Sequence, residues 1–226
     1  MSSYVPTYHI PSPAAQIRDG LREMKHDKWG WIIYRCTYSD DSAWVRFRHI
    51  IEENSRRAIA ESDAPEITDS LQWTFVEDRV ALDGASRESL RARFRAWATA
   101  PETIRSEQPR AEDISSFALA GVPRYHYFIQ VDEEALRSVV DDPQGHGHVN
   151  FVYADWEPLS AVVSGYENSE EAAEDVYEPI DGCRDEDVGW MKISSHMIGP
   201  DFYDTMSGLP DVWHAYYRRP PAIVHV

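Results

Sequence analysis

The stretch KWGWIIYRCTYSDDSAW, residues 28–44, holds three tryptophans, two tyrosines and one arginine, and its reading decides the fold. Across residues 32–38 nearly every side chain is apolar, aromatic or β-branched, the composition of a central strand covered on both faces. On such a strand Ile32, Tyr34, Cys36 and Tyr38 share one face, and Trp31, Ile33, Arg35 and Thr37 share the other. Ser39 then stands where it can cap a helix, with Asp40 and Asp41 in the first turn, where carboxylates favour the positive end of the dipole. Trp44, Phe47, Ile51 and Ala58 recur at helical spacing, opposite Arg46, Arg48, Glu52, Glu53 and Arg56. That pattern predicts an amphipathic helix of about five turns. The aromatic cluster therefore reads as the start of a fold before it reads as a binding site.

Working outward, residues 71–77 alternate cleanly, with Leu71, Trp73 and Phe75 on one side and Gln72, Thr74 and Val76 on the other, a half-buried strand. After a turn at Asp83 and Gly84, Ser86 can cap a second helix bearing Leu90, Phe94 and Trp97, which Pro101 ends. Residues 101–123 lack periodicity and read as an insertion. A third strand covers 125–132, with Tyr125, Tyr127, Ile129 and Val131 alternating with His126, Phe128 and Gln130. Asp132 caps a short helix carrying Leu136, Val139 and Val140. A fourth strand spans 149–156, residues 188–194 resume strand character, and Pro200 starts a short helix. This order predicts an α+β fold: a ferredoxin-like split β-α-β antiparallel sheet with an inserted helix and a C-terminal strand-helix extension.

Residues 1–28, with three prolines at its start, read as an N-terminal arm, and 29–226 as a single domain. Between residues 167 and 187 ten acidic residues face one basic residue, so 165–187 is expected to be an acidic flexible loop.

The fully apolar strand sides, those of Ile32, Trp73 and Ile129, belong under helices. The opposite sides would gather Arg35, Thr37, Gln72, Thr74, His126 and Gln130, interleaved with Trp31, Ile33 and Phe128. A few polar groups interrupting apolar walls suit a small-molecule pocket. The same surface would also suit a seat for Trp213, Tyr216 and Tyr217 of the C-terminal segment, or a homodimer contact.

Local chemistry is sparse. In GHGH, residues 145–148, His146 and His148 would point the same way on a strand and chelate a metal, yet only Asp155 and Glu157 lie near in sequence as further ligands. Solvated loop histidines are the simpler reading, so no metal is assigned. Asp155 stands out as a carboxylate late in an apolar strand, and with His126 it is the candidate for acid-base catalysis. No nucleophile elbow, Walker loop, dinucleotide fingerprint or zincin motif occurs. Cys36 reads as an inert core thiol, and Cys183 sits among acids that disfavour the thiolate.

The 226 residues carry a formal charge of −17, while the first 60 hold nine basic and seven acidic residues, so the acidity belongs to the rest of the chain. Such a field repels phosphates and disfavours nucleic acid and anionic membranes as partners. No apolar run approaches the roughly 20 residues that span a bilayer, and no basic-then-apolar leader is visible, so a cytoplasmic protein is expected.

The phrases WGWIIYRCTYSDDSAWVRF, LQWTFVEDRVALDGAS, RARFRAW, VDEEAL, ADWEP, DVGWMKI and YYRRPP resemble those of a large group of uncharacterised proteins from filamentous fungi. The resemblance runs over most of residues 29–221 and rests on structural phrases. It implies a fungal, cytosolic origin and carries no activity, cofactor or catalytic residue. The expected function is therefore binding of a small ligand or protein partner through the polar-aromatic sheet face. A small-molecule enzyme using acid-base or metal-assisted chemistry and a self-associating structural protein are the alternatives.

Overall fold

The computed structural model describes residues 11–115, 119, 121–144, 146–158, 177–208 and 211–225. Among them six strands pair into one sheet: β1 (Ile32–Arg35), β2 (Thr74–Val76), β3 (Tyr127–Val131), β4 (His148–Tyr153), β5 (Trp190–Ser194) and β6 (Ile223–Val224). Their order is β2-β1-β3-β4-β5-β6. β1 runs parallel to both β2 and β3, β3-β4 and β4-β5 are antiparallel, and β6 closes the far edge parallel to β5. The class is thus α+β, but the ferredoxin-like antiparallel order is corrected. Its one shared feature is the adjacency of β1 and β3. The β1-helix-β2 unit is not split, because β2 lies directly beside β1 and β3 enters on the other side. The β2–β3 connection itself contains helices, and a helical crossover returns the chain in the same direction.

Helices cover both faces: α1 (Pro13–Met24), α2 (Asp41–Ala60), α3 (Arg79–Leu82), α4 (Arg87–Ala98), α5 (Pro101–Glu107), α6 (Glu133–Val140), α7 (Pro200–Thr205) and α8 (Asp211–Tyr216). One core joins Trp31, Ile33, Ile129, Phe151 and Ile193 to α1, α2, α6, α7 and α8. The other joins Ile32, Tyr34, Phe128, Val152 and Trp190 to α3, α4 and α5. Coverage on both sides explains why β1 and β3 are buried at every position. It also means that neither face of the central strands is left free.

Register settles the phase between strands. Ile33 pairs with Phe75 and with Ile129, while Ile32 pairs with Thr74 and with Phe128. Trp31, Ile33 and Arg35 therefore lie with Trp73, Phe75 and Ile129, the reverse of the expected grouping of Ile32 and Tyr34 with them. A strand that is apolar on both sides carries no label saying which side is which, so a shift of one residue goes unseen in the pattern.

Several local expectations hold. Ser86 and Asp132 cap α4 and α6, accepting from Ser89 N at 3.2 Å and Ala135 N at 2.9 Å. α2 is capped one residue later than expected, by Asp40 accepting from Ala43 N at 2.8 Å. The expected N-terminal arm instead contains α1, capped by Ser12, with Ala14, Ala15 and Ile17 buried; residues 1–10 lie outside the described residues. The insertion 101–123 contains α5. Of the acidic loop, 177–187 is tied down by an Ile180–Cys183 bridge and by Arg87 on Asp181, and 165–176 lie outside the described residues. Trp213 of α8 is fully buried, stacking on Tyr127 and Phe151 at 6.0 and 6.2 Å between ring centres, so the C-terminal aromatic segment does seat on the sheet.

The strand ends are tied by Arg124, which is 0% exposed. Its Nη1 donates to the carbonyls of Gly30 and Gln72, both at 3.0 Å, its Nη2 to Thr74 Oγ1 at 2.8 Å, and its Nε to Glu107 at 2.8 Å. Gly30 makes room for this junction: it has φ +117, and a Cβ there would stand 2.7 Å from the Gln72 carbonyl oxygen. One guanidinium thus fastens the approach to β1, the start of β2 and the end of α5. Removing one member of a buried charge pair costs about 3–5 kcal/mol. Arg124→Met is expected to lose that much in urea denaturation followed by tryptophan fluorescence. Arg124→Lys should recover only part of it, since an ammonium lacks the planar fork. A loss below about 1 kcal/mol for Arg124→Met would remove Arg124 from this role.

Candidate functional site

Because both sheet faces are roofed, the expected surface is not assembled. Arg35 pairs with Val131 across β1-β3 and lies on the α2 side, whereas Gln130 pairs with Tyr34 on the α4 side. Arg35 is buried, with its guanidinium 4.3 Å from the Tyr38 ring centre and 5.3 Å from that of Trp44, and it is neutralised by Asp41 and Glu77. Thr37, on the same side, donates to Glu133, and Ser39 does so at 2.6 Å. These donors, with Arg137, pull the Glu133 carboxyl down to about 2. This group is an internal network of ion pairs.

Gln72, Thr74, His126 and Gln130 belong to the other side but to separate places. Gln72 and Thr74 serve as acceptors for Arg124. Gln130 donates to the Ala85 carbonyl at 3.1 Å and begins a buried polar row with Asn150 and Lys192 on the next two strands. Asn150 donates to Asp132 at 2.8 Å and Lys192 pairs with Glu134, so the row anchors the start of α6. Cys36 lies beside this row, its thiol pushed up to about 12 by burial, which makes it inert as a nucleophile.

The two histidines of the GHGH motif diverge. His148 is buried with Nε2 3.7 Å from Glu134, while the His146 ring lies 4.9 Å from that of His196. The motif's second glycine serves packing, since a Cβ on Gly147 would stand 2.2 Å from the backbone of Ser138 in α6. Among the described residues no group of three or more His, Cys, Asp or Glu side chains is placed to hold a metal ion.

His126 and Asp155 do meet, 29 residues apart in sequence and 2.7 Å apart in space between Nδ1 and Oδ2. The antiparallel β3-β4 ladder brings them together, continued by Ala154 N donating to the His126 carbonyl at 2.9 Å. They stand on the wall of a cavity of about 680 Å³. The end of α4 contributes Ala98, α5 contributes Pro101 and Ile104, and the following chain contributes Ile114, Leu119 and Tyr125. Trp97 backs Tyr125 in a stacked contact at 5.9 Å, and Gln108 fixes the phenol by donating to it at 3.0 Å. Burial pushes that phenol up to about 12, so it stays protonated.

Polar groups occupy the cavity's rim. Glu112 pairs with Lys25, and Asp113 accepts from Ser115 N at 2.8 Å. Arg95 and Arg105 also line the space. Neither arginine, nor Tyr125, is marked as functional by any motif: Arg95 and Tyr125 are ordinary members of a helix and a strand pattern, and Arg105 stands in the insertion that lacks periodicity. What the sequence does show is His126 and Asp155 singly, each flanked by apolar strand residues.

His126 is held at both nitrogens, since Nε2 lies 3.0 Å from the Leu119 carbonyl. A carboxylate and a carbonyl both accept, so both ring nitrogens must donate, and the imidazolium is the form that satisfies them. Burial works against that charge, but the hydrogen bond and charge of Asp155 and the Leu119 carbonyl outweigh it and raise the pKa. The pair therefore latches residue 119 and the end of β4 to the start of β3.

Comparison with protein-family models, curated proteins and solved structures finds no match for this chain. None of the described helices is long and apolar enough to cross a membrane.

The sign of the pH dependence follows from the raised pKa. The latch contributes its full stability below the unfolded value of about 6.5, and loses it as pH rises through the higher folded value. The difference in melting temperature between the wild type and Asp155→Asn should accordingly be largest on the acid side and shrink toward alkaline pH. A constant difference between about pH 5.5 and 8.5 would show that His126 is not the titrating partner.

Proposed function

We propose that this protein binds a small, largely apolar molecule in the cavity bounded by α4, α5 and the adjoining ends of β3 and β4. The observation that carries the reading is the cavity itself. Its volume falls within the roughly 300–1,000 Å³ of small-molecule sites, and aliphatic and aromatic walls are interrupted by a few charged groups at the edge. This relocates the ligand site expected on the sheet face to the end of the sheet, and of the expected residues it retains His126 and Asp155.

Binding is favoured here over acid-base catalysis. A general base needs a nitrogen lone pair directed at substrate, and both His126 nitrogens are committed to Asp155 and Leu119. The remaining cavity groups are an un-ionised phenol, two guanidiniums and two engaged rim carboxylates, a set suited to holding a ligand. Cytoplasmic residence accords with this reading through the two free thiols, and the net negative charge disfavours nucleic acid as the occupant.

Thr99 is exposed on the cavity's edge, and its side chain does no more than donate to the Arg95 carbonyl at 2.7 Å. A Thr99→Trp substitution should place an indole in the opening without disturbing either core. Fluorescence titration with the neutral apolar probe N-phenyl-naphthylamine is expected to show saturable binding to the wild type. Binding to Thr99→Trp should be weaker by roughly ten-fold or more. Equal binding by both proteins would put the ligand site elsewhere.

A further inference from the structure

The charge left over at this cavity names the class of its occupant. The chain carries 39 acidic against 22 basic residues, so a cation has every opportunity to find a carboxylate. Most described arginines have done so: Arg18, Arg35, Arg48, Arg87, Arg124 and Arg137 all lie in ion pairs. Arg95 and Arg105 have not. Among the described residues no carboxylate lies within 4.0 Å of either guanidinium, although Glu112, Asp113 and Asp155 line the same space. Arg46 and Arg79 also lack a carboxylate but stand exposed on helix surfaces, where water serves them, and Arg57, Arg91, Arg218 and Arg219 donate instead to Asn54 or to backbone carbonyls. Arg105 is exposed too, at the cavity's rim, but Arg95 is only partly exposed and borders apolar walls, so Arg95 is the group that water serves least.

The three carboxylates of the lining are committed elsewhere. Glu112 is held by Lys25, Asp113 by the backbone of Ser115, and Asp155 by the His126 imidazolium. Lys25 and His126 thus match two of the three carboxylates, and Asp113 keeps its charge more than 4.0 Å from either guanidinium, so the two arginines outnumber the one carboxylate left. A guanidinium beside apolar walls gains most from a planar or tetrahedral oxyanion, which it can meet with two parallel hydrogen bonds in partly desolvated surroundings.

We infer that the occupant is an amphipathic organic anion, an apolar body bearing one carboxylate or sulfonate-like group. Its body lies against Ile104, Leu119 and Tyr125, and its anionic head is at Arg95 with Arg105 beside it. This rests on the reading of the cavity as a ligand site, and adds to it the sign and position of the ligand's charge.

The test compares two fluorescent probes of similar apolar body on the full chain, anionic anilinonaphthalene sulfonate and neutral N-phenyl-naphthylamine. The wild type should prefer the anionic probe, and rising salt should weaken that probe alone. Arg95→Met should lower the anionic-to-neutral affinity ratio by roughly ten-fold, the usual size of a lost charge-assisted hydrogen bond at a partly exposed site. Arg95→Lys should restore much of the ratio, and Arg105→Gln should lower it less. If Arg95→Met does not fold, the salt dependence and the Arg95→Lys and Arg105→Gln ratios decide the matter in the same way. An unchanged ratio in the arginine variants, with both probes still blocked by Thr99→Trp, would overturn the anion assignment and leave the cavity reading standing. Failure of both probes to bind, or binding that Thr99→Trp does not affect, would overturn both.

Discussion

The buried guanidinium of Arg124 is the constraint on which the rest of the structure depends. It lies where the approach to β1, the start of β2 and the end of α5 converge, and it satisfies two carbonyls, one hydroxyl and one carboxylate at that point. Short parallel strands need such help. β2 has three residues, and its backbone ladder alone is a weak tether at a sheet edge. By holding Glu107, the same group sets α5 against the sheet, and α5 is one wall of the cavity. Tyr125 and His126, the next two residues along the chain, then project from a fixed base into that space. Fold and candidate site thus share one anchoring point.

Roofing both faces of the sheet has a functional consequence. A two-layer α+β protein can offer its open sheet face to a ligand, but here Trp31, Ile33 and Phe151 meet one set of helices while Ile32, Phe128 and Val152 meet another. The cavity lies instead at the adjoining ends of β3 and β4, against α4 and α5. The polar residues of the sheet interior, Arg35 and the row Gln130, Asn150 and Lys192, are consumed in joining helices to strands. Their buried charges are paired because an unpaired one would cost several kcal/mol. Among the described residues lining the cavity, Arg95 and Arg105 are the guanidiniums with no carboxylate within 4.0 Å.

The sequence was most legible wherever the physics is local. Helix caps depend on a side chain and a backbone N–H three residues away, and Ser86 and Asp132 were identifiable for that reason. The 20-residue α2 was legible from the spacing of Trp44, Phe47 and Ile51. The N-terminal helix is not, because a proline marks a chain break as readily as a helix start, and here Ser12 caps the helix with Pro13 in its first turn. At the site, Asp155 and His126 each stood out as polar interruptions of apolar strands. Their partnership is a property of the β3-β4 register, which neither residue signals alone. Arg95 is one of four arginines in α4, and its meaning depends on which neighbours fail to neutralise it.

From the chain alone came the α+β class, the central and doubly buried character of β1, most of the main helices and the inertness of Cys36, since each follows from composition and period along a short segment. Tertiary structure decided the strand order, which side of β1 faces which helices, and the separation of Arg35 from His126. The physical reason is that β1 and β3 are apolar on both sides. Their alternation therefore has no built-in orientation, and only the hydrogen-bonded register between strands far apart in sequence assigns one.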